Sequence, residues 1–142
     1  MDTYIEKAKE LLIQGDYTCV IMNDQEIYTS KERGVKPLLD WIDRGIDCTN
    51  SVVADKVVGK AAAFLYVILG VSRVYAGVLS EPAYKVLEAY NIGVSYGQKV
   101  SAIRNRDNTG FCPMESSVWD INNPSDARMV ILQTRDRLMQ KK

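Results

Sequence analysis

The chain has 142 residues, 46% of them apolar, and its 18 basic side chains balance 18 acidic ones, with no histidine anywhere. That length supports one well-buried core and not two, so residues 1–142 are expected to form a single domain, and the even charge excludes a global field that draws the chain to phosphate backbones or acidic membranes. Three scattered cysteines, Cys19, Cys48 and Cys112, exclude a disulfide framework and point to a reducing, cytoplasmic setting.

Thr3 followed by Glu6 is a capping-box pattern, and Tyr4, Ile5, Ala8, Leu11 and Leu12 mark a helical stripe that Gly15 ends. The acidic, apolar-poor start argues against a signal peptide or membrane anchor. The run YTCVIM, the turn Asn23-Asp24 and the more polar QEIYTS read as a hairpin with an edge strand. A loop through Gly34 leads to a short helix with Pro37 in its first turn, and a second loop, IDCTNS, follows, in which Cys48 is incidental. Residues 54–70, ADKVVGKAAAFLYVILG, are expected to be the main core helix, capped by Asp55 and stopped by Gly70. SRVYAGVLS is the next strand, residues 81–90 a helix opened by Glu81-Pro82, and VSYGQKVSAI a strand interrupted by Gly97. An irregular polar stretch runs from Arg104 to Asn123. Asn123-Pro124 then starts the last helix, which places Ala127, Ile131, Thr134 and Leu138 on one side.

This order of elements implies a three-layer α/β/α sandwich with a mixed sheet, antiparallel at the hairpin and parallel where strands alternate with helices. It resembles the cytidine deaminase fold. In that family the core helix opens with a His-Ala-Glu motif and the next helix with Pro-Cys-x-x-Cys, which together hold a catalytic zinc. Laid along this chain, Glu81-Pro82 matches the Glu-Pro that often precedes the first cysteine. On the same alignment Gly59 stands for the ligand histidine, Ala61 for the catalytic glutamate, and Ala83 and Val86 for the cysteines. The resemblance therefore implies the fold without the metal, and with no histidine to build a shifted ligand set, zinc-dependent deamination is rejected. The stretches DKVVGKAAA, GVKPL and CPME are similar to those of an uncharacterised prokaryotic family of short deaminase-like proteins that lack the zinc motifs.

The expected site is a pocket at the C-terminal edge of the sheet where two helix starts, near Gly59 and Pro82, converge. Asp55, Gly59, Lys60, Glu81, Cys112 and Glu115 are its candidate ligand-binding residues, suited to an anionic or nucleotide-like small molecule. Asp55 and Glu81 read equally as helix-start carboxylates, and Lys60 as a surface lysine. Cys112 with Glu115 or Lys60 forms the alternative, enzymatic reading, weakened because no imidazole exists to take the thiol proton. No cofactor or metal is expected. Expected partners are a small molecule and, in an assembly reading, a second copy of the chain; nucleic acid and membrane are not expected, since Arg104 and Arg106 alone make a poor phosphate track.

Overall fold

The computed structural model describes residues 2–32, 34–103 and 112–140. Thr3 in its capping role, Arg104 and Arg106 lie outside the described residues or side chains. In chain order the elements are α1 (Asp2–Gln14), β1 (Cys19–Met22), β2 (Ile27–Ser30), α2 (Lys36–Asp43), β3 (Val52–Val58), α3 (Lys60–Leu69), β4 (Arg73–Ser80), α4 (Glu81–Ala89), β5 (Gly93–Val100), α5 (Pro113–Ser117) and α6 (Pro124–Gln140). The strands form one mixed sheet in the order β2-β1-β3-β4-β5. β1 runs antiparallel to both β2 and β3, while β3, β4 and β5 run parallel, as expected for strands joined through helices.

One expectation is corrected. Residues 54–58 do not begin the core helix; they complete β3, and the helix starts only at Lys60. The run VVADKVV pairs with β1 on one side and β4 on the other, and a strand enclosed by neighbours loses the polar-apolar alternation that would have marked it. Asp55 is therefore a strand residue and not a helix cap. Cys48 is also not incidental, because it is fully buried against the α3 side of the core. The stretch expected to be irregular contains the short helix α5. In α6, Ala127, Ile131 and Thr134 are buried as expected, but Leu138 is exposed.

The sheet separates two apolar clusters. On one face Ile5, Ala8 and Leu12 of α1 pack on Val20, Met22, Val52 and Ala54. On the other, α3 lies at the centre of the helical layer with α2, α4 and α6 beside it. Its residues from Lys60 to Tyr66 are all buried, the pattern of a helix enclosed on every side.

The three parallel strands share a change of phase. Val53 and Asp55 of β3 face α3, and so does Val58, three residues on; in β4 the same face carries Val74, Ala76 and then Leu79. In β5 it carries Tyr96, stacked edge-on against Tyr84 of α4, and then Lys99, whose Nζ reaches Glu81. The skipped positions, Lys56, Gly77 and Gly97, stand side by side: a Cβ on Gly77 would lie 2.8 Å from the Lys56 carbonyl oxygen, and one on Gly97 would lie 2.9 Å from that of Gly77. The two glycines thus let neighbouring backbones approach through the displaced step. The shift turns Val58 into the core and delivers the chain to Gly59, where α3 begins. Gly77→Ala and Gly97→Ala are each expected to destabilise the protein by about 1–3 kcal/mol, read from urea unfolding midpoints, because the added methyl meets backbone and not a side chain that can move aside.

Candidate functional site

The N-terminus of α3 is closed from a distant part of the chain. Gly59, the N-cap, has no side chain to offer, and the first two helical amides donate instead to Glu115: Lys60 N to Oε2 at 2.7 Å and Ala61 N to Oε1 at 3.1 Å. Glu115 sits on α5, which opens with Cys112 as N-cap and Pro113 in the first turn. The carboxylate is 4% exposed, and a Cβ at Gly59 would overlap Oε1. The glycine is needed because that carboxylate lies where a side chain would stand. Burial pushes the Glu115 carboxyl up from its usual range, and the two amides and the nearby Lys60 charge pull it back in part.

Lys60 grips the same segment twice. Its backbone N–H holds Glu115 and its ammonium donates to the Trp119 carbonyl at 2.8 Å. Burial lowers the Lys60 ammonium from its ordinary value, and the charges of Asp120 and Glu115 partly oppose this. At its other end the segment is tied by Cys112 N donating to the Ile103 carbonyl at 3.1 Å. The second expected helix start is also satisfied internally, since the Ser80 hydroxyl accepts from Ala83 N at 3.2 Å. Glu81 pairs with Lys99 at 3.3 Å, and Ala83 and Val86 are buried among apolar neighbours. No group of three or more His, Cys, Asp or Glu side chains that could hold a metal ion occurs among the described residues.

What remains open is a cleft of about 530 Å³ beside the two closed helix starts. Phe64, Pro82, Val86 and Trp119 are among its apolar lining, and Lys60, Glu81 and Lys85 supply charge. Gly59, Lys60 and Glu115 thus come together, Glu81 shares the cleft with Lys60, and Cys112 starts the helix that carries Glu115. Phe64 and Lys85 were not singled out from the sequence, where an apolar helix residue and an exposed helix lysine carry no distinguishing signal.

Asp55 lies elsewhere, between β3 and α3. Tyr66 Oη donates to Asp55 Oδ2 at 2.5 Å and is 3.2 Å from Cys19 Sγ, while Val57 N donates to Asp55 Oδ1 at 3.2 Å. Burial pushes Asp55 up to about 7, and it raises Tyr66 and the Cys19 thiol as well. The polar chain joins β1, β3 and α3 inside the core.

Two outcomes follow from these geometries. Glu115→Ala is expected to cost about 2–4 kcal/mol, since it strands two buried amides. Gly59→Ala is expected to cost a similar amount by expelling the carboxylate, because the Gly59 backbone is one that alanine adopts without strain. The double variant should then lose less than the sum of the two, an interaction beyond about 1 kcal/mol in chemical denaturation. For Asp55, the folded state holds a proton that the unfolded chain, with its carboxyl at the ordinary value of 3.8, has released. This group's contribution to stability is therefore greatest at low pH and falls as pH rises from about 4 to about 7. Asp55→Asn should remove that slope and be more stable than the parent above pH 7, measured as midpoints across a pH series.

A model describing a domain of unknown function, DUF1893, matches residues 7–134. The crystal structure of a DUF1893 family protein from Thermotoga maritima, 27% identical, superposes with a TM-score of 0.87 over 94% of this chain and 90% of that one. A diaminohydroxyphosphoribosylaminopyrimidine deaminase/5-amino-6-(5-phosphoribosylamino)uracil reductase from the same organism is 12% identical over 82% of this chain and 40% of its own, with a TM-score of 0.43. The search of curated proteins found no match. With the family match running from α1 to α6, the chain belongs to the DUF1893 family, whose function is uncharacterised.

Proposed function

We propose that the protein is a non-catalytic binding domain for a small, nucleotide-like molecule, seated in the cleft lined by α4 and Trp119. The observation that carries this reading is the cleft's composition: Trp119, 43% exposed, lines it together with Phe64, Pro82, Val86 and Ile121, and Ser101 and Asn122 add polar groups. An aromatic side chain among apolar ones suits contact with a planar ring, and a volume of about 530 Å³ is in the range of small-molecule sites. The catalytic alternative finds less support. Both oxygens of Glu115 are engaged by backbone amides, so it is not placed to serve Cys112 as a base.

The chain has two tryptophans, and Trp41 is buried, so a Trp41→Phe variant leaves Trp119 as sole indole reporter. Titration with uridine and uridine 5′-monophosphate should give a saturable change in its fluorescence, and Trp119→Ala should weaken the binding seen by calorimetry by about tenfold or more. No saturable response, together with no small molecule retained in native mass spectrometry of the purified protein, would sink the reading.

A further inference from the structure

We infer that the cleft engages its ligand through an anionic group, a phosphate or a carboxylate, with the Lys60 ammonium as counter-ion. This rests on the binding reading above and deepens it by assigning the charge of the ligand and the residue that meets it. Lys60 lines the cleft yet is only 9% exposed. The residue as a whole is buried and its ammonium partly so, and burial disfavours the charged form unless a negative group compensates it. Among the described residues its ammonium's one hydrogen bond goes to a neutral acceptor, the Trp119 carbonyl at 2.8 Å, out of the three N–H donors that it carries. The Phe64 ring, 5.8 Å from Nζ, adds a weak attraction.

The carboxylates around Lys60 oppose the effect of its burial only in part and without an ion-pair contact. Glu115 accepts from two backbone amides, Glu81 is drawn to Lys99, and Asp120 is exposed; among the described residues none comes within ion-pair distance of Lys60 Nζ. Lys85, exposed at the rim of the same cleft, adds a second positive charge. The cleft thus carries two lysines while its own carboxylate is neutralised from β5. An anion entering the cleft would meet the partly buried Lys60 ammonium, and its charge would offset the desolvation that Lys60 bears.

The test uses the parent protein with isotope-labelled lysine, following the Lys60 ε-methylene resonance through a pH titration. Spectra are taken in chloride and in inorganic phosphate at matched ionic strength, with Lys60→Gln serving for assignment. The expected result is a Lys60 titration midpoint higher by about half a pH unit or more in phosphate, with a smaller rise at Lys85 and none at Lys56. Uridine 5′-monophosphate should also bind about tenfold more tightly than uridine, and in Lys60→Gln the ratio of the two affinities should fall to about one, whatever the change in uridine binding itself. An unchanged Lys60 midpoint overturns the inference. If uridine still perturbs Trp119 in that case, the cleft reading survives without it; if neither responds, both fall. Equal shifts at Lys56 and Lys60 would mark general screening, an adventitious ion only, and also overturn it.

Discussion

The contact between the Glu115 carboxylate and the first two amides of α3 organises the part of the molecule where a site is to be sought. A helix start needs acceptors, and one enclosed in a core cannot take them from water. Here the acceptor arrives from 55 residues downstream, and its arrival fixes the path of the 112–119 segment over the helix start. Lys60 completes the clasp by holding Trp119 from the same residue. Because α3 is the central helix, packed against α2, α4 and α6, a rigid start to it steadies the helical layer as a whole.

That arrangement also explains why the helix start itself is not an open anion site. The feature that would attract a ligand anion is already filled by the chain's own carboxylate, and the neighbouring helix is filled by Ser80. Open space lies to the side, in the cleft lined by Trp119 and α4, where Lys60 arrives as a charge without an ion-pair partner among the described residues. The same residue that secures the segment therefore sets the electrostatics of the cleft.

Behind the site, the shared phase change at Lys56, Gly77 and Gly97 is what allows β3 and β4 to present apolar residues to the helices on both sides of the step, while β5 presents Lys99 to Glu81. A single displaced residue in one strand would shift its register with the next; displacement in all three keeps the same register on both sides of the step. On the N-terminal side of the step, Asp55 is left in the core and satisfied by Tyr66, which in turn meets Cys19. Such a buried polar chain is tolerated because each member has a partner, and it ties the register of β1 and β3 to the position of α3.

Much of this protein was legible in one dimension. Spacing and turn chemistry marked α1, the β1–β2 hairpin, α4 and α6, because their amphipathic stripes, caps and breakers are local in sequence. The alternation of later strands with helices marked a mixed α/β sheet. Gly59, Lys60 and Glu115 were singled out, but not the reason they belong together. β3 was absorbed into the following helix because a strand buried on both sides has no period that separates it from a buried helix. Only the tertiary structure brought Glu115 to Gly59, joined Asp55 to Tyr66 and Cys19, and brought Trp119 and α4 to one cleft, since these contacts span long separations along the chain and depend on which faces the sheet turns toward its helices.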